Sequence, residues 1–188
     1  CSAPVMAFIE TQQGATLETD SSLYYCAISP DATYAAVGSE STQTVKIYNT
    51  STGALAGTAT LPSGIESEDI ELSNAGSRVF VGGQGGGVYC YTQAGTSIWS
   101  RTDIPGELNV ATTAIGNLVF TVDVNDNFYR LSGTTGANLI TPVGIDARGW
   151  TIWDVDTTAD GGNRVLIRTN SDIIIFDGFG TETHFYDI

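Results

Sequence analysis

The stretch Thr44-Val45-Lys46-Ile47-Tyr48-Asn49-Thr50-Ser51-Thr52-Gly53 reads as a strand that stops in a turn. Val45 and Ile47 alternate with Lys46, the two-residue period of a strand with one buried face, and a polar residue followed by glycine closes the run. The same ending occurs five times: Ile9-Glu10 with Gly14, Tyr48-Asn49 with Gly53, Tyr91-Thr92 with Gly95, Leu131-Ser132 with Gly136 and Phe176-Asp177 with Gly180. Successive glycines are 39, 42, 41 and 44 residues apart. That period belongs to units of four antiparallel strands rather than to helical solenoids or heptads.

Working outward from Thr44, the spacing predicts strands over 24–29, 34–38, 44–48 and 54–61. Ser29-Pro30-Asp31-Ala32-Thr33 forms the first turn, where proline fixes φ and Asp31 bonds its own backbone. Four strands joined by hairpins make one blade, lettered A to D from the axis outward. The expected fold is therefore all-β, a single propeller domain over 1–188, with blades over 23–61, 68–104, 109–145 and 151–188. Residues 1–20 match only strands C and D of a preceding blade. An edge left by strand C needs a partner, so the expectation is a portion of a larger ring, completion by another chain, or a four-bladed ring with the hairpin packed outside it.

The chain has 21 acidic against seven basic residues, a net charge of −14. Such a surface repels phosphate backbones and anionic lipid heads, which argues against nucleic acid and direct membrane insertion. No apolar run approaches the length that spans a bilayer. Few charges with abundant Thr, Ser, Gly and Ala suggest an extracytoplasmic protein. Of the three cysteines, Cys26 and Cys90 fall in predicted strands, where a buried thiol acts as a small hydrophobe. Cys1 has a second reading, a lipid-modified mature N-terminus.

The segment from Val88 to Trp99, Val-Tyr-Cys-Tyr-Thr-Gln-Ala-Gly-Thr-Ser-Ile-Trp, resembles a quinoprotein-type repeat. The segment from Ile28 to Gly38, Ile-Ser-Pro-Asp-Ala-Thr-Tyr-Ala-Ala-Val-Gly, is similar to the A–B turn of YVTN and WD40-like blades. The resemblance to this propeller superfamily implies architecture. No strand C ends in Trp-Asp, the repeat tryptophan stands only at Trp99, and no adjacent cysteine pair is present, so neither a quinone nor its calcium carries over.

For chemistry, the sole histidine, His184, falls in the last strand near the outer rim with no partners for a triad. Asp154, Asp156 and Asp160 alternate oxygen ligands before Gly161-Gly162, a candidate calcium loop similar to those of integrin-type propellers. Asp123 to Asn127 is a second, weaker candidate, read first as an Asx-rich B–C loop. The run Gly82 to Gly87 is expected to be a flexible B–C connection, since no helix or lysine follows to make a phosphate loop. Glu68 and Asp69, with Glu66 and Glu71, fall where ligands enter many propellers, and could face a cation or basic peptide. Trp150 and Trp153, with Tyr24 and Tyr25, lie near the inner strands, where aromatic faces can stack on sugars or peptides but core packing between blades is the first expectation. No cofactor beyond that calcium candidate is expected.

The leading expectation is a non-catalytic extracytoplasmic binding or scaffold module for a protein, peptide or glycan. The alternatives are a fragment of a quinoprotein-like enzyme or cofactor-binding propeller, and a self-assembling adhesive surface protein pairing through the N-terminal edge strand.

Overall fold

A computed structural model describes residues 23–39, 42–145, 152–158, 164–169 and 172–187. The partial blade expected over 1–20, and with it Cys1, Trp150 and Asp160, lies outside the described residues. The rest form four antiparallel four-stranded sheets, each in simple sequential order. Blade one is β1 (Leu23–Ile28), β2 (Tyr34–Ser39), β3 (Thr44–Asn49) and β4 (Leu55–Thr60). Blade two is β5 (Ser67–Leu72), β6 (Val79–Gly83), β7 (Val88–Tyr91) and β8 (Ser97–Arg101). Blade three is β9 (Val110–Thr112), β10 (Leu118–Val122), β11 (Asn127–Ser132) and the two-residue β12 (Val143–Gly144). Blade four is β13 (Ile152–Thr157), β14 (Arg164–Thr169), β15 (Asp172–Asp177) and β16 (Glu182–Asp187).

Successive blades bury their faces against one another. Ile47 and Ala59 of blade one meet Ile70, Val79 and Tyr89 of blade two. Phe80 and Cys90 of blade two meet Val110, Val119 and Leu131 of blade three. Phe120 and Phe128 of blade three meet Val155, Ile167 and Phe176 of blade four, with the Phe128 and Phe176 rings stacked 6.1 Å apart. β1 packs on β5, β5 on β9 and β9 on β13, so the A strands are the inner ones.

The turn chemistry repeats with the blades. Gly53, Gly95, Gly136 and Gly180 all have positive φ, between 67° and 86°. The polar residue before each turn holds it: Asn49 Oδ1 accepts from the amides of Ser51 and Thr52, and Asp177 Oδ1 from those of Phe179 and Thr181. At the A–B hairpins the amides of Ser29, Ser73, Thr113 and Thr158 donate to the carbonyls of Tyr34, Arg78, Leu118 and Arg164. Those four hydrogen bonds supply an exact register for comparing blades.

Three expectations need correction. The glycine run is not all loop: Gly82 and Gly83 belong to β6, and a Cβ on Gly82 would overlap the carbonyl oxygen of Leu108. Glycine is there for close backbone approach, and the turn is confined to the residues that follow. Cys26 is disulfide-bonded, whereas Cys90 is the buried free thiol that was expected. Strand D of blade three is reduced to Val143–Gly144 and one bridge from Leu131 to Asn138. Pro142, between those two contacts, has no amide hydrogen to donate to a ladder.

Candidate functional site

The A–B register aligns the inner strands residue by residue. Ser73 and Thr158 are equivalent, so Glu71 of β5 corresponds to Asp156 of β13, and Asp69 to Asp154. The corresponding places hold Tyr25 and Ala27 in blade one, and Asn109 and Ala111 in blade three. Paired carboxylates therefore stand on alternate blades, two and four, with a neutral blade between them.

A backbone irregularity positions the mouth of this site. β1, β5 and β13 each carry a bulge at the second residue of the strand, Tyr24, Glu68 and Trp153. A bulge inserts one residue and re-aims the side chains around it. Glu68 accepts a hydrogen bond from the Tyr25 hydroxyl at 3.1 Å, tying blade one to blade two. Trp153 is 53% exposed and its ring lies under the Arg168 guanidinium, 5.3 Å from the ring centre. That is the arrangement of a surface aromatic with a cation on its face, not of core packing.

The carboxylates perturb one another. Burial pushes the Asp69 carboxyl up to about 7, against two amides, Val110 and Ile70, that hydrogen-bond its oxygens at 2.8 Å and favour the charge. Asp154 and Glu68 push it in the same direction as burial. Burial likewise lifts Glu71 to about 8, with repulsion from Asp69, Asp156 and Asp154 added. Asp154 is raised by burial, an effect opposed by Arg168 and reinforced by Asp156. Both inner-strand pairs thus share one electrostatic environment, and Arg168 is a cation that opposes the shift of Asp154.

The structure places Glu68, Asp69, Asp154, Asp156 and Trp153 at this axial site. It adds Glu71 as the equivalent of Asp156, a relation that alignment of the A–B turns exposes. Asp154 and Asp156 are two apart on a strand rather than in a loop, and among the described residues no three His, Cys, Asp or Glu side chains converge as a metal site. The Asp123 loop is occupied by its own donors: the carboxylate accepts from the amides of Asn125 and Asn127, the Asn127 side chain and the Tyr129 hydroxyl. His184 is exposed on β16, its ring stacked on Tyr186.

Four aligned blades with a repeated turn glycine are also what comparison with known families recovers. A family model described as outer membrane protein assembly factor BamB matches residues 41–179, from the β2–β3 connection to the last C–D turn. The chain belongs to that family. No curated protein matches it. As a BamB-family, quinoprotein-like propeller it has the architecture of a ring of blades, and none of its described helical segments is long and apolar enough to cross a membrane. In this BamB-family chain the quinoprotein-type tryptophan, Trp99 on β8, joins blades: its Nε1 donates to the Gly133 carbonyl at 3.0 Å and its ring packs on Phe80 and Gly136.

Proposed function

We propose that the chain is an extracytoplasmic scaffold that holds a cationic segment of a protein partner at its axial acidic site. The observation that carries this reading is that Asp69 and Glu71 take the same inner-strand positions in blade two as Asp154 and Asp156 in blade four, near enough for the two pairs to repel each other. Burial, with repulsion from neighbouring carboxylates added, disfavours the charged forms of Asp69, Glu71 and Asp154, and a bound guanidinium or ammonium group offsets that penalty. Trp153 beside the site supplies an aromatic face of the kind that receives a cation. The family's description as an assembly factor supports a protein partner in preference to a glycan. A disulfide-bonded Cys26 supports an oxidising compartment outside the cytoplasm.

The test is fluorescence anisotropy with a labelled arginine-rich peptide, against the native chain and against Glu71→Gln and Asp156→Asn. Binding should weaken steeply as salt rises and should weaken in both variants. Binding absent at low salt, or unchanged in both variants, overturns the reading.

A further inference from the structure

We propose that the axial site takes up its cationic partner in exchange for a proton: Glu71 is neutral in the free chain and ionises as the partner's guanidinium or ammonium group arrives, so that the grip loosens in acid. This rests on the cationic partner proposed for the same site and adds a control on its capture.

Hydrogen bonding sets the carboxylates of the site apart from one another. Asp69 Oδ1 accepts from the Ile70 amide and Oδ2 from the Val110 amide, so each of its oxygens has a donor. Glu68 accepts from the Tyr25 hydroxyl, and Asp154 has the Arg168 guanidinium acting in its favour. Glu71 has neither kind of support. Among the described residues no hydrogen bond or cation reaches its carboxyl, and the charges acting on it are Asp69, Asp156 and Asp154, all of its own sign. That carboxyl is almost wholly enclosed, although the residue keeps part of its surface open. A buried carboxyl without a donor or a counter-charge takes up a proton rather than remain ionised. Burial, with those three neighbours added, accordingly lifts Glu71 to about 8.

The strands around Glu71 offer no other way to neutralise it. β5 brings Glu68 and Asp69, β13 brings Asp154 and Asp156, and β14 brings Arg168. β9, which packs on β5, has Ala111 at the equivalent place and no charged residue. On β1 the Tyr25 hydroxyl is committed to Glu68, on β2 Tyr34 lies against Gly76, and β6 has no titratable group. A partner's cation supplies the missing counter-charge. The Glu71 O–H bond then breaks, the electron pair stays on the carboxylate and the proton passes to solvent. Linkage makes the affinity rise roughly tenfold per pH unit for each proton released, over the range below the folded value.

The experiment is titration calorimetry of the full chain at low salt with an N-acetylated, histidine-free, arginine-rich peptide. It is run at about pH 6, 7 and 8, each in two buffers of different ionisation enthalpy. In the native chain the heats at pH 7 should differ between buffers by the amount that about one released proton per peptide produces, and affinity should climb roughly tenfold per pH unit. In Glu71→Gln the proton count should fall by about one, and the affinity should approach the native value at pH 6 and lag behind it at pH 8. His184, on β16, is present in both proteins and drops out of the comparison. Native binding with buffer-independent heats and a constant affinity overturns the proton exchange and leaves the cationic site standing, a result that needs no variant to fold. A proton count unchanged in Glu71→Gln overturns the role of Glu71. Absence of binding at every pH overturns the exchange and the cationic site together.

Discussion

Glu71 on β5 and Asp156 on β13 occupy one and the same position in two different blades, and each bears a carboxylate that repels the other. The blades between which the chain could have spread its charge, one and three, hold alanine there. Such a pairing works against folding at neutral pH and is tolerated where a ligand or partner supplies the opposite charge.

Stability is expected to fall as pH rises. Asp69 and Glu71 ordinarily titrate at 3.8 and 4.5 but are held at about 7 and about 8 in the folded chain. Between those limits the folded chain binds more protons than the unfolded one, so the slope of unfolding free energy with pH is negative. The penalty is absent below about pH 4, grows through the window from 4 to 8, and is complete above the folded values. Glu71→Gln mimics the protonated group. Allowing for screening by water in the opening, it should stabilise the chain by on the order of 2 kcal/mol at pH 8, with little effect at pH 4. Thermal melts of both proteins at the two pH values check this, and equal shifts at both would refute it.

Ala32 should be improvable. It has φ of 56° at the place in its A–B turn that Gly76 and Gly116 take in the next two blades, at 55° and 66°. A Cβ is strained in that region, so Ala32→Gly is expected to raise stability by about 0.5–1 kcal/mol. Its neighbour Asp31 accepts from the Ala75 amide of blade two at 2.7 Å as well as from Ser29. Hydrogen bonds, that to Ser29 first, hold its carboxyl down at about 2. Asp31→Ala should lower the urea midpoint while Ala32→Gly raises it.

Trp99 should behave as an inter-blade tie rather than a ligand residue. Removing its ring leaves a void against Phe80 and Gly136 and an unpaired Gly133 carbonyl. Trp99→Ala is expected to cost about 3 kcal/mol, and Trp99→Phe, which restores most of the packing, about half of that. Urea titration distinguishes the two variants. Peptide binding per folded molecule should be unchanged in Trp99→Phe.

The turn glycines were legible because a positive φ excludes most side chains, and their spacing carries the blade period without any tertiary information. The polar residue before each turn was legible for the same local reason, since Asn49 and Asp177 bond amides two to four residues away. The axial site was only partly legible. Glu68, Asp69, Asp154 and Asp156 could be singled out as acids near inner strands. Their equivalence emerges only when Ser73 and Thr158 are aligned, because the A–B turn of blade four is one residue longer. The bulges at Glu68 and Trp153 leave no compositional trace, and so the exposure of Trp153 could not be read. The strand position of Gly82 is not legible in the sequence, because what demands glycine there is a carbonyl from residue 108, a tertiary neighbour.

Cys90 is expected to report unfolding. Its side chain is wholly buried between blades two and three, and burial pushes the thiol up to about 12, against a weaker pull from Arg78. Thiolate is the reactive form, so both access and ionisation suppress its chemistry in the folded chain. Iodoacetamide at pH 8 should leave Cys90 unmodified for as long as the chain stays folded and should modify it on addition of urea, in step with the loss of tertiary fluorescence. Because blades two and three meet at Cys90, labelling that precedes the main transition would mean that this interface opens on its own. Labelling coincident with it would mean that blades two and three come apart only as the whole ring unfolds.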